Sequence, residues 1–107
     1  PALRSAVNAD SRDLPRRIGR RVSVAGVVEA IRTTRTQQKR GMMFLTLDDE
    51  YGLFEVTFFP DTCRRIRPPK HYGPYVVSGR VEEQYDTVTV TADSLSWVQV
   101  GREQAAS

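Results

Sequence analysis

Residues 42–60 read MMFLTLDDEYGLFEVTFFP, and their alternation decides the architecture. Met43, Leu45 and Leu47 fall on one phase of a two-residue period, with Met42, Phe44 and Thr46 on the other. A period of two is the repeat of a pleated strand, whose successive side chains leave on opposite faces. The run DDEYG supplies turn residues, after which Phe54, Val56 and Phe58 alternate with Leu53, Glu55, Thr57 and Phe59. Two such strands joined by so short a turn pair antiparallel. One phase of each strand is expected to line a core. The other, carrying Phe44, Thr46 and Thr57, is expected to face outward, where an aromatic ring offers a stacking surface; with the strand phase inverted, Phe44 packs in the core instead.

Upstream, Val22, Val24, Gly26 and Val28 alternate with Ser23, Ala25 and Val27, then lead through Ala30 and Ile31 into the polar run TTRTQQKRG. This predicts a first strand followed by a long charged loop. Downstream, Pro60 closes the third strand and suits the first turn of a helix, where its missing N–H is no loss. Asp61 then lies near the positive end of that helix. The segment PDTCRRIR (60–67) is long enough for about two turns before Pro68 and Pro69 stop it. PYVVSGRVEE (74–83) reads as a fourth strand, with Gly79 marking a bulge or bend, and QYDT as a tight turn. In TVTVTADSLSWV (87–98), Val88, Val90 and Ala92 alternate with threonines to give a fifth strand. Residues 1–20 show neither period and are expected to form a flexible or loosely docked leader; 99–107 are expected to be a C-terminal tail. The domain over 21–98 is therefore all-β. Three strands, a short helix and two strands close a five-stranded Greek-key barrel of the OB type, with the helix between strands three and four.

A chain of 107 residues fits one such core. Its net charge of +3 leans toward polyanions, although 16 basic residues against 13 acidic ones is a mild excess. Arginine dominates the basic set: this suits phosphate and base recognition, and is equally what a GC-rich genome produces. The single cysteine, Cys63, cannot form an internal disulfide, which points to a reducing compartment, and is expected half-buried on the helix. His71 stands alone beside a proline pair and reads as a loop histidine. No apolar run approaches the ~18 residues of a membrane span, and no signal-peptide core is present at the start, so a soluble intracellular protein without a membrane partner is expected. The first residue is Pro1 rather than Met, as in a processed chain or a piece of a longer one.

OB barrels commonly bind on the face of strands two and three, flanked by the loops joining strands one to two and four to five. The first of these loops, with the end of its strand, carries Arg32, Arg35, Gln38, Lys39 and Arg40, and no acid occurs from Ile31 through Gly41. Its cations can neutralise phosphates while Gln38 hydrogen-bonds phosphate or base edges. Phe44 is the candidate stacking platform, Thr46 and Thr57 its polar neighbours on the same face, and Tyr85 a further aromatic in the second loop. Asp48, Asp49 and Glu50 suggest a divalent cation at first sight, but they occupy a turn and no further acid converges on them, so a solvated turn is the expectation. Arg64, Arg65 and Arg67 form a second basic patch on the helix. No nucleophile–base set, metal ligand set or cofactor motif is present, so the chain by itself is not expected to be an enzyme.

With the strands placed, VAGVV, the FLTLDDEYG block, EVTFFP with its helix-starting proline, and VSGRVE resemble the OB domain near the C-terminal end of bacterial C-family DNA polymerases, the polymerase III α subunits and their error-prone relatives. The resemblance covers roughly residues 20–98. It implies a module that contacts single-stranded DNA template in a bacterial cytoplasm, nucleoid-associated, inside a parent DNA-directed DNA polymerase. Neighbouring polymerase domains or replication subunits are then further partners. By position it assigns the contacting surface to the loop from Arg32 to Arg40 and the strand face of Phe44 and Thr46. The same strand grammar is similar to tRNA anticodon-binding OB domains of class II aminoacyl-tRNA synthetases, and OB barrels also serve as protein-interaction modules, so RNA and protein partners stay open at this point.

Overall fold

The structure is a computed structural model and describes residues 7–98. Five strands are present: β1 (Arg21–Arg35), β2 (Gly41–Asp48), β3 (Leu53–Phe58), β4 (Tyr75–Gln84) and β5 (Thr87–Trp97). A one-turn helix, α1 (Pro60–Cys63), lies between β3 and β4. The strands close a barrel in the order β1-β2-β3-β5-β4, with β4 returning to β1. Every pairing is antiparallel except β3 with β5, which run parallel. This is the expected five-stranded barrel with one short helix.

The alternation read in the sequence is the alternation of the barrel wall. Val22 and Val24 on β1, Met43, Leu45 and Leu47 on β2, and Phe54, Val56 and Phe58 on β3 are all buried, most of them completely. Val77 and Val81 from β4 and Val90 and Ala92 from β5 complete the core. At full burial each such side chain contributes roughly 1.5–3 kcal/mol relative to exposure.

Two bulges shape the wall. Between Val28 and Ala30 the register of β1 against β2 shifts, leaving Glu29 as the extra residue. Up to Val28 the even-numbered residues of β1 point inward; beyond it they point outward, so Arg32 joins Phe44 on the outer face. The second shift lies between Ser78 and Gly79 of β4, opposite Asp93 of β5, as the glycine led one to expect. A Cβ at Gly79 would come within 2.1 Å of the Thr91 carbonyl oxygen, so only glycine lets β4 and β5 approach this closely.

The structure departs from the sequence reading in three places. β1 continues to Arg35, so the loop to β2 is only residues 36–40. The β-branched Thr33 and Thr34 suit a strand, and Arg32 and Arg35 consequently sit on β1. The helix ends at Cys63 rather than running to Arg67: after it only turn bonds follow, Arg65 and Ile66 N–H donating to the Thr62 carbonyl. Arg67 precedes Pro68, and a residue before proline is pushed out of helical geometry. The stretch 7–20 is docked, not loose. Leu14, in a single 3₁₀ turn (Leu14–Arg16), is 1% exposed within the main core. Asn8 and Ser23 exchange hydrogen bonds, and Ser11 donates from N–H and Oγ to Asp49. The remainder of the expected leader, residues 1–6, and the expected tail, 99–107, lie outside the described residues.

Candidate nucleic-acid interface

The outer face is built from rows of cross-strand neighbours. One row runs Arg32, Phe44, Thr57, Thr91, Arg80 across β1, β2, β3, β5 and β4. The next runs Ala30, Thr46, Glu55, Thr89, Glu82 over the same strands. The first row carries arginine at both ends, and the second carries two carboxylates. The face is therefore divided between a basic half toward the β1–β2 loop and an acidic half toward the β4–β5 turn.

Phe44 lies outward and half-buried, and the Arg32 guanidinium carbon stands 4.4 Å from its ring centroid. A guanidinium over an aromatic face is a cation–π pair, and its planar group is itself a stacking surface. Thr57 is outward in phase but only 9% exposed, between Phe44 and Thr91. Its short side chain sits below its neighbours, so it offers a ligand little surface. Thr46 donates from Oγ1 to Glu55 Oε2 at 3.1 Å, and Thr91 Oγ1 donates to Glu82.

The β1–β2 loop is tight. Thr36 N–H donates to the Arg40 carbonyl and Lys39 N–H to the Thr36 carbonyl, both at 2.8 Å, with Lys39 at φ 60°. Gln38 and Lys39 are exposed at its tip. Arg40 reaches α1 instead: its guanidinium lies 2.5 Å from Asp61 Oδ1, and Arg64 reaches the same oxygen at 2.6 Å. Arg40 first, and Arg64 with it, hold the Asp61 carboxyl below its ordinary range. Among the described residues Arg32, Arg35 and Lys39 have no carboxylate partner.

Tyr85 is 99% exposed at the tip of the β4–β5 turn, where it and Asp86 both adopt positive φ. It stands apart from the other candidates. β5 enters beside the start of β3, whereas the β1–β2 loop adjoins the end of β3, so the two loops bracket the face from opposite ends. Glu82, Glu83 and Asp86 surround the turn in sequence.

Of the residues singled out in the sequence, the structure brings Arg32 against Phe44 and places Arg35, Lys39 and Arg40 at one end. The sequence reading did not foresee this pairing. It missed the Arg40–Asp61–Arg64 cluster and the carboxylates beside Thr46. The three-residue spacing of Asp61 and Arg64 was a legible signal, because such a pair meets on one side of a helical turn.

Three of the remaining singled-out residues, Asp49, His71 and Cys63, have structural work. Asp49 Oδ1 accepts from Tyr51 and Gly52 N–H and from Ser11 Oγ, which ties the β2–β3 turn to the leader. His71 stacks on Trp97 with ring centroids 4.7 Å apart. Cys63 Sγ donates to the Phe58 carbonyl, and burial pushes the thiol up, so it is not an activated nucleophile. Among the described residues no group of three or more His, Cys, Asp or Glu is placed to hold a metal ion, and no helix is long and apolar enough to cross a membrane.

Comparison with known proteins bears on the domain as a whole. A family model described as an OB-fold nucleic acid binding domain matches residues 22–98. The error-prone DNA polymerase of Anaeromyxobacter dehalogenans (strain 2CP-C) is 37% identical over 76 residues, which cover 70% of this chain and 6% of that protein. The DNA polymerase III subunit alpha of Bacillus subtilis (strain 168) is 32% identical over 74 residues, 68% of this chain and 7% of that protein. The error-prone DNA polymerase of Mesorhizobium japonicum is 30% identical over 109 residues, 96% of this chain and 9% of that protein. The chain spans only a small part of the length of these relatives. Among solved structures, asparaginyl-tRNA synthetase from Pyrococcus horikoshii aligns with a TM-score of 0.64 at 18% identity, over 85% of this chain and 22% of that one. The second OB-fold domain of replication protein A from Methanococcus maripaludis aligns with a TM-score of 0.53 at 16% identity, over 78% of this chain and 86% of that one. With these two structures the fold is what is shared.

Proposed function

Because the chain belongs to the OB-fold nucleic acid binding domain family, we propose that it binds single-stranded DNA on the basic half of the β2–β3 face, as the template-holding module of a bacterial C-family DNA polymerase. The observation that carries this reading is the Arg32–Phe44 pair beside Arg35 and Lys39, which have no carboxylate partner among the described residues. A base stacks on the Phe44 ring with Arg32 either displaced toward a phosphate or lying against the base's outer face. Stacking of this kind contributes about 1–3 kcal/mol per base and accepts any base, which suits a template of arbitrary sequence. Arg35, Lys39 and Arg40 meet successive phosphates, and Gln38 donates to phosphate or base edges.

The strand does not extend toward the β4–β5 turn, because Glu55 and Glu82 repel its phosphates. Thr46, hydrogen-bonded to Glu55, marks the limit of the path. Thr57 supports Phe44 from below, and Tyr85 lies off the path. The chain itself performs no chemistry; polymerisation belongs to the parent.

The test is a competition series in which oligothymidylate, oligouridylate and a DNA duplex displace a labelled oligothymidylate from the chain. The proposal predicts that oligothymidylate competes best and duplex worst. Preferential displacement by oligouridylate would assign the face to RNA instead.

A further inference from the structure

An open groove of about 470 Å³ lies between the far end of the β1–β2 hairpin and the segment that follows β3. Met42 and Met43 line one side, Cys63, Ile66 and Pro68 the other, and Arg35 contributes a charged group. Two further lining features connect it to the cluster described above: Gly41 and Cys63 are chain neighbours of Arg40 and Arg64. The Arg40–Asp61–Arg64 cluster therefore joins hairpin to helix beside the groove. Two guanidiniums converge on one carboxylate oxygen there, at 2.5 and 2.6 Å. That is the arrangement in which a pair of arginines holds a phosphate oxygen.

We infer that this groove and its arginine pair form a nucleotide subsite separate from Phe44: the groove takes an unpaired base, and Arg40 and Arg64 take its phosphate in place of Asp61. The inference rests on the nucleic-acid reading of the face. The volume falls within the ~300–1,000 Å³ typical of small-ligand sites, more than a single base requires. Thioether side chains adapt to a flat aromatic ring and contact it favourably through sulfur, and Met42, half-buried on the outward phase of β2, lines the slot. The charge is complementary as well: Arg35 lines the groove, and Arg40 and Arg64, paired to Asp61, respectively precede and follow lining residues in the chain. Asp61 holds the two arginines convergent until a phosphate arrives and competes with that phosphate, so it weakens binding while keeping the site formed.

Two measurements test this. In the first, the chain with labelled methyl groups and arginine side chains is titrated with a short oligothymidylate and followed by NMR. The methyl signals of Met42 and Ile66 and the Nε signals of Arg40 and Arg64 are expected to shift together. A shift at Arg32, which covers the Phe44 ring, with silent groove methyls overturns the subsite alone. Shifts at Arg40 and Arg64 without the methyls reduce it to anion binding and overturn it too. No shift anywhere overturns it together with the nucleic-acid reading. In the second, Asp61→Asn is expected to tighten oligothymidylate binding roughly two- to five-fold, the range that removal of one exposed ionic competitor produces. Unchanged or weaker binding overturns the displacement of Asp61.

Discussion

At the scale of single residues, Phe44 shows how one position serves two ends. Its neighbours Met43 and Leu45 are 3% and 0% exposed, which fixes β2's inward phase and leaves Phe44 outward. Phe44→Ala should lower oligonucleotide affinity by about 1–3 kcal/mol in a fluorescence anisotropy titration. Leu45→Ala should behave oppositely, costing about 2–5 kcal/mol of stability in urea unfolding through the cavity it leaves. Gly79→Ala brings a methyl against the Thr91 carbonyl and should cost at least the ~1–3 kcal/mol of an overpacked core, read as a lowered unfolding midpoint. The alternation of Phe44 with Met43 and Leu45 was legible because it is local to one strand, but which of the two phases faces the core is decided only by the assembled barrel. The direction of Arg32 was not legible, because it depends on the bulge at Glu29. The clue was there in retrospect: continuing the inward phase of Val22, Val24, Gly26 and Val28 places the charged Arg32 in the core.

At the scale of elements, turns and termini decide what the strands present. The β2–β3 turn is held by Asp49, whose carboxylate accepts from Ser11, Tyr51 and Gly52. Removing that acceptor in Asp49→Ala leaves several N–H groups to find water, and it should cost about 1–3 kcal/mol. Faster hydrogen exchange at the Ser11, Tyr51 and Gly52 amides would report the turn and the leader loosening together. Strands, the β2–β3 hairpin and the start of α1 were readable because period, turn residues and a proline are short-range signals. The end of α1 and the docking of residues 7–20 were not. The helix stops early for a reason lying downstream at Pro68, and Ala9 and Leu14 sit in a largely polar stretch without periodicity, their burial depending on a core assembled from distant strands.

At the scale of the whole molecule, the charge of +3 matters less than its placement. Arginines gather at the β1–β2 end of the outer face and carboxylates at the other, so a polyanion has one end of the barrel to approach. Three ion-paired carboxylates also couple folding to pH. Asp10, Asp61 and Asp93 are lowered below 3.8 chiefly by hydrogen bonds from Arg12, from Arg40 and Arg64, and from Arg21 respectively. Their folded values lie below the unfolded one, so their stabilisation is present above 3.8 and is lost as pH falls through the depressed folded range. Urea midpoints measured from neutral pH downward should therefore hold steady and then fall only on the acid side of that value; because the pairs are exposed, the decline should be shallow. On the proposed function, the basic half of the β2–β3 face holds single-stranded nucleic acid by stacking and phosphate contact. The decisive experiment is the anisotropy of a labelled oligothymidylate across a salt series. Log K should fall linearly with log salt, Arg35→Ala should reduce the slope by about 0.7, the share of one phosphate contact on a single strand, and Phe44→Ala should lower affinity without changing the slope. Absence of binding at low salt, or binding indifferent to salt and to both substitutions, would contradict that function.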